Sequence, residues 1–160
     1  MGSHVKKTTL QLQQLLNEKG VCGIELPVTA ILEDSEQLKS DTINTLSMVA
    51  EQGMTPVIYT SRTELRIDDA DKRQLMGQQI SDFLVDLVRC LPYTPAYLVA
   101  KGGITSNDIL TKGLSVKSAR VLGQIIQNVP CIMTAHFPYI IFPGNVGNEE
   151  SLKEVFRKLS

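Results

Sequence analysis

AYLVAKGGITSNDIL, residues 96–110, carries an apolar strand into a helix through two adjacent glycines. Ala96 to Ala100 reads as the strand and Thr105 to Lys112 as the helix, with Thr105 or Ser106 where an N-cap belongs. Gly102 and Gly103 have no side chain to keep an anion off the backbone. The first helical N–H groups and the positive end of the helix dipole are aimed at the same place. The hydroxyls of Thr105 and Ser106 are placed to add hydrogen bonds to phosphate oxygens. Asp108 stands at capping-box spacing from Thr105; its carboxylate either faces a magnesium ion or points away. A tight, well-capped strand-to-helix connection has the same sequence. Neither GxGxxG nor GxxxxGK[ST] is present, so spacing alone names no nucleotide.

Working outward, strands and helices alternate. Helices are expected over Thr8 to Lys19, Ser35 to Gln52 and Asp71 to Leu91, each with apolar residues at helical spacing. Gly20, Gly53 and Pro92 are their stops. Val21 to Leu26 and Thr55 to Tyr59 read as short strands, the first ended by Pro27. After Gly113 come three strand-like runs, Ala119 to Ile126, Cys131 to Ala135 and Tyr139 to Phe142, and a closing helix from Glu149 to Leu159. The alternation predicts an α/β layered, Rossmann-like fold with a central, largely parallel sheet flanked by helices, mixed where the short strands follow one another. The 160 residues fit one domain, and no internal repeat or linker divides them.

Composition removes several function classes. The net charge of -1, with no basic block, argues against electrostatically driven nucleic-acid binding. No apolar run reaches the ~20 residues that span a bilayer, and MGSHVKKTT has no apolar signal region. A cytoplasmic protein is expected, with Cys22, Cys90 and Cys131 as reduced, buried, structural thiols.

A second glycine turn, PGNVG from Pro143 to Gly147, also follows a strand and precedes a helix. Two such corners in one small α/β domain converge at one sheet edge, where ligands of open sheets bind. The start, GSHVKKTTLQLQ, has two readings: Gly2, Ser3 and His4 are the remnant of an expression tag, or they belong to the site. Lys101 either supplies charge beside Gly102 or is an exposed strand end. Arg62 reads as a solvated loop arginine, and His136 as a loop or packing residue without a metal or triad partner.

These segments together resemble the C-terminal nucleotide-binding domain of the four-carbon acid sugar kinase family. GSHVKKTTLQL is similar to its opening GS-x4-T-x2-Q segment through Gly2, Ser3, Thr8 and Gln11. KGGITS resembles its glycine-glycine-x-threonine-serine turn through Gly102, Gly103, Thr105 and Ser106. ARVLGQIIQNVP matches the next segment through Gly123, Val129 and Pro130, and FPGNVG the final turn through Gly144, Asn145 and Gly147. The four matches run in the family's order along most of the chain. Three departures stand out. Ile104 replaces an acidic residue, Phe142 a lysine, and Asn128 a glycine.

The resemblance implies a kinase that passes the γ-phosphate of ATP, with magnesium, to a hydroxyl of a small acid sugar. Ser3, Gly102, Gly103, Ile104, Thr105, Ser106, Gly144, Asn145 and Gly147 are the implied nucleotide contacts. The acid sugar and the catalytic base belong to an N-terminal domain that this chain lacks. No catalytic residue and no protein-held metal are therefore expected here. The isolated domain is expected to bind nucleotide without turnover.

Two other readings make different demands. A dinucleotide-binding oxidoreductase domain calls for an acidic residue ~20 positions after the glycine turn, and none stands around Leu122 and Gly123. A non-enzymatic interaction or regulatory module calls for no ligand affinity at all.

Overall fold

A computed structural model describes residues 1, 6–61 and 69–160 of the chain. Helix α1 (Lys6–Leu16) leads through β1 (Val21–Leu26), α2 (Val28–Glu33), α3 (Ser35–Glu51), β2 (Thr55–Thr60), α4 (Ala70–Arg89) and β3 (Leu98–Lys101) to α5 (Gly103–Asp108). A π-helical turn, Ile109–Gly113, prolongs α5. Three strands follow, β4 (Arg120–Ile126), β5 (Val129–Met133) and β6 (Pro138–Phe142), and then α6 (Ser151–Leu159).

The α/β class predicted from the alternation is borne out. β1 and β2 pair in parallel, from Val21 opposite Thr55 to Leu26 opposite Thr60. A second sheet has the order β3-β6-β5-β4. There β3 runs parallel to β6, while β5 is antiparallel to both β6 and β4. The sheet is mixed in the region after Gly113, where the alternation stops.

Local chemistry explains where the boundaries moved. α2 is too short for a helical period to show in sequence; it starts directly after Pro27 and buries Val28 and Ile31 against α4. α4 opens on Asp69, whose carboxylate accepts from the Asp71 and Lys72 N–H groups at 2.9 and 3.2 Å. α6 begins at Ser151 rather than Glu149. Ahead of it the Asn148 side chain accepts from the Glu150 N–H at 3.0 Å and the Ser151 hydroxyl at 3.1 Å. Between β4 and β5 the chain turns at Asn128, with φ +62°. Glycine is the easiest residue there and asparagine the next, so the Asn128 departure keeps the turn.

The core lies in three clusters. Leu15, Val21, Ile140, Phe142, Leu152 and Val155 join α1 and α6 to the strands. Leu26, Ile80, Phe83, Leu84 and Leu87 pack α4 on the β1–β2 side. Val85, Ala100, Ile109, Ile132 and Tyr139 pack α4 and α5 on the other sheet. One expectation about the thiols fails: Cys90 is exposed and Cys22 and Cys131 only half-buried, because Cys90 follows the last turn of α4. No helix among the described residues is long and apolar enough to cross a membrane.

Candidate nucleotide site at two glycine turns

Gly102 ends one element and starts another. Its N–H donates to the Phe142 carbonyl at 3.0 Å, completing the β3–β6 ladder. Its carbonyl accepts from the Ser106 N–H at 3.0 Å, opening α5. The backbone turns here at φ +120° and ψ 142°, a region that L side chains rarely enter. Because Gly102 does the turning, the helix starts at Gly103, ahead of the predicted start at Thr105. The N–H groups of Gly103, Ile104 and Thr105 therefore have no acceptor within the helix. A Cβ placed on Gly103 would meet nothing within 4 Å, so the space over this backbone is open. Ile104 stands 77% exposed beside it.

The two hydroxyls of the turn differ. Thr105 has no hydrogen-bond partner for its hydroxyl among the described residues. Ser106 is buried, and its hydroxyl lies 2.5 Å from the Gly102 carbonyl and 3.0 Å from that of Gly103. Its proton is committed to the turn, which corrects the expectation that Ser106 donates to a phosphate. Asp108 faces away from the turn. It accepts from the Ser81 hydroxyl at 3.0 Å and pairs with Lys112 at 3.1 Å. The fully buried Tyr139 donates its hydroxyl to the Ser106 carbonyl at 2.6 Å, tying α5 to β6, and burial pushes its pKa upward.

The second turn is held through its carbonyls. Lys101 Nζ donates to Pro143 at 2.9 Å and to Gly144 at 3.3 Å. The Gly144 carbonyl also accepts from the Thr8 hydroxyl at 3.2 Å. Lys7 Nζ donates to Asn145 at 3.0 Å. Gln11 Nε2 donates to Val146 at 3.0 Å and Asn148 at 2.7 Å. Gly147, at φ +80°, has no room for a Cβ, which would lie 2.5 Å from Ser151 Cβ. The end of β3, the turn after β6 and the first turns of α1 thus meet at one junction.

Lys101 is not an exposed strand end; it is 1% exposed. Its ammonium lies 4.1 Å from the centroid of the Phe142 ring, and the two residues are cross-strand partners in β3–β6. Burial, and secondarily the charge of Lys7, lowers its pKa to about 8.

Of the residues singled out in sequence, Gly102 to Ser106 and Gly144 to Gly147 lie on the two linked turns. Gly2, Ser3, His4 and Arg62 lie outside the described residues. His136 is on the exposed β5–β6 loop. Among the described residues no group of His, Cys, Asp or Glu side chains is arranged to hold a metal. Sequence spacing missed Lys7 and Tyr139, which carry no local signal, and pointed to Thr8 and Gln11 only through the family resemblance.

Comparison with known proteins agrees with this architecture. A family model described as "Nucleotide-binding C-terminal domain" matches residues 1–152. A Haemophilus influenzae protein of family DUF1537 is similar in structure at 19% identity, with a TM-score of 0.80 over 99% of this chain and 39% of that one. A DUF1537 domain protein from Bordetella bronchiseptica, solved with citrate as a domain-swapped dimer, has 17% identity and a TM-score of 0.69 over 98% of this chain and 39% of its own. The chain spans about two fifths of the length of these structures, and at such identities the likeness establishes the fold. No curated protein matches the sequence.

Proposed function

The chain belongs to the nucleotide-binding C-terminal domain family, and from that premise we propose that it holds ATP at the junction of its two glycine turns, as the nucleotide domain of a four-carbon acid sugar kinase. The observation that carries the reading is the shared Gly144 carbonyl. It accepts from Thr8 on α1 and Lys101 on β3, and so fixes both turns and the helix start in one arrangement.

The residues suit a polyphosphate. Three N–H groups without helical acceptors, the open approach over Gly103 and the Thr105 hydroxyl together form a donor-rich corner. The lysine that the family resemblance places at Phe142 has a substitute. Lys101, its cross-strand neighbour, brings an ammonium over the Phe142 ring. The positive charge has moved from β6 to β3 and stays between the turns.

Magnesium, bound with ATP, neutralises charge on the phosphates. The chain's own part is positioning. Ser106 and Tyr139 lock the first turn, Lys101, Thr8 and Gln11 lock the second, and Gly103, Ile104, Thr105 and Asn145 face the ligand. Fixed donors that need no reorganisation are where most of the catalytic advantage in phosphoryl transfer arises. The acid sugar and the base that deprotonates its hydroxyl lie in the N-terminal domain of the longer protein.

Calorimetric titration with ATP, ADP and NAD tests the proposal. Saturable heat with ATP and ADP and none with NAD is expected. NAD-selective heat would support the oxidoreductase reading, and a folded chain silent to all three would support the interaction module.

A further inference from the structure

Two ammonium groups converge on the second glycine turn. Lys7, in the first turn of α1, reaches the Asn145 carbonyl at 3.0 Å. Lys101, at the end of β3, reaches those of Pro143 and Gly144 at 2.9 and 3.3 Å. The two charges feel one another: after burial, the charge of Lys7 is the second cause that lowers the Lys101 pKa. Lys39, Lys112, Lys153 and Lys158 each pair with a carboxylate. Among the described residues Lys7 and Lys101 have no such partner; both donate to neutral carbonyls. Like charges held together repel, and nothing described here balances them. A pair of cations without a counter-charge is a seat for an anion with more than one negative group.

The two lysines are placed for different parts. An ammonium carries three N–H donors. Lys101 is fully buried and spends two of them on the turn, so its charge acts from beneath, where the lower dielectric strengthens it. Lys7 is exposed and spends one donor on Asn145, which leaves two for a ligand. The turn's backbone adds to this. Its carbonyls from Pro143 to Val146 are taken by Lys101, Thr8, Lys7 and Gln11. The N–H groups of Asn145 and Gly147, both exposed residues, have no acceptor among the described residues. Free backbone N–H groups beside cations form an anion-binding concavity.

We infer that Lys7 is a ligand-contacting residue, and that with the buried Lys101 beneath the turn it seats the terminal phosphates of a nucleoside polyphosphate. The nucleoside part of this statement rests on the ATP reading above. The cation pair and the free N–H groups stand without it. The α5 corner and the Lys7–Lys101 seat lie at the ends of neighbouring strands, β3 and β6, so one chain of phosphates is shared between them.

The test is calorimetric titration of the chain, of Lys7→Gln and of Lys7→Arg, each with magnesium and either ATP or inorganic tripolyphosphate. Lys7→Gln keeps an N–H donor for the Asn145 carbonyl and removes the charge. It is expected to weaken both ligands by about tenfold or more, the size of a lost hydrogen bond to a charged group. Lys7→Arg is expected to restore most of that affinity. Unchanged affinities in Lys7→Gln would overturn the proposal. So would a loss that Lys7→Arg fails to restore, which would make Lys7 a strut of the turn. Should Lys7→Gln prove unfolded by circular dichroism, the lysine side-chain NMR signals of the parent are followed instead. A saturable shift of the Lys7 ammonium on adding tripolyphosphate is expected, and an unmoved signal overturns the seat. The two readings fail separately. Tripolyphosphate binding through Lys7 in a chain silent to ATP sinks the ATP reading and keeps the seat. ATP binding indifferent to Lys7→Gln sinks the seat alone, and silence to both ligands sinks both.

Discussion

At Gly102 and Gly103, neighbours in sequence, the same substitution is expected to do opposite things. Gly102→Ala forces a side chain into φ +120° and is expected to cost about 1–3 kcal/mol in chemical denaturation. Gly103→Ala meets no atom within 4 Å and occupies an ordinary helical position, so stability is expected to hold or rise slightly. Its methyl nevertheless stands where an anion would approach. ATP affinity is therefore expected to fall about tenfold or more in a chain that is no less stable, read by calorimetry beside denaturation. Unchanged affinity in Gly103→Ala would remove this backbone from the site. Lys101 gives a pH signature. Its pKa is lowered to about 8 in the fold, against 10.5 ordinarily. Between those values the unfolded chain holds a proton that the folded chain has lost, so stability is expected to increase as pH rises from about 8 to about 10.5. Anion binding runs the other way, weakening as pH passes through about 8 and the ammonium loses its charge. Lys101→Met is expected to lose both dependences, which parallel titrations of the two proteins over that range would show.

The elements meet at the Pro143–Gly147 turn, which α1 holds together with Lys101 of β3. Gln11 donates to the carbonyls of Val146 within it and Asn148 just after it, from a fully buried side chain. Gln11→Leu leaves both without that donor and is expected to destabilise the chain by about 1–3 kcal/mol. The amides of the turn should exchange faster at the same time; a variant as stable as the parent would mean the turn is held elsewhere. This grip also marks how far the sequence could be read. The strand–glycine–helix corner at residues 96–110 was legible because the strand, Gly102 and α5 are local in sequence and each follows from residue chemistry. The role of Ser106 was not, since whether a hydroxyl faces solvent or the backbone depends on a turn geometry that spacing does not encode. Lys101 was misjudged on one of its two readings for a similar reason. Its burial is caused by Phe142 and Pro143, about forty positions away, and only the β3–β6 register brings them beside it. The α/β class was visible in the alternation, whereas the break between β2 and β3 was not, because both strands carry apolar sequence suited to a full sheet.

For the molecule as a whole, the family assignment and the stitched turns point the same way. The chain is a nucleotide-binding domain, and ATP at the two turns is the specific form proposed for it. The proposed reading puts the acid sugar and its base in another domain, so purified chain incubated with magnesium, ATP and threonate or erythronate is expected to release no ADP above background. Robust turnover would place the base here after all. The most direct measurement is an NMR titration of the chain with magnesium and ATP, followed residue by residue. The largest shifts are expected at the amides of Gly103, Ile104, Thr105 and Asn145, saturating together with a single affinity. Saturable shifts confined to other surfaces, or no shifts in a chain whose spectrum shows it folded, would contradict the site.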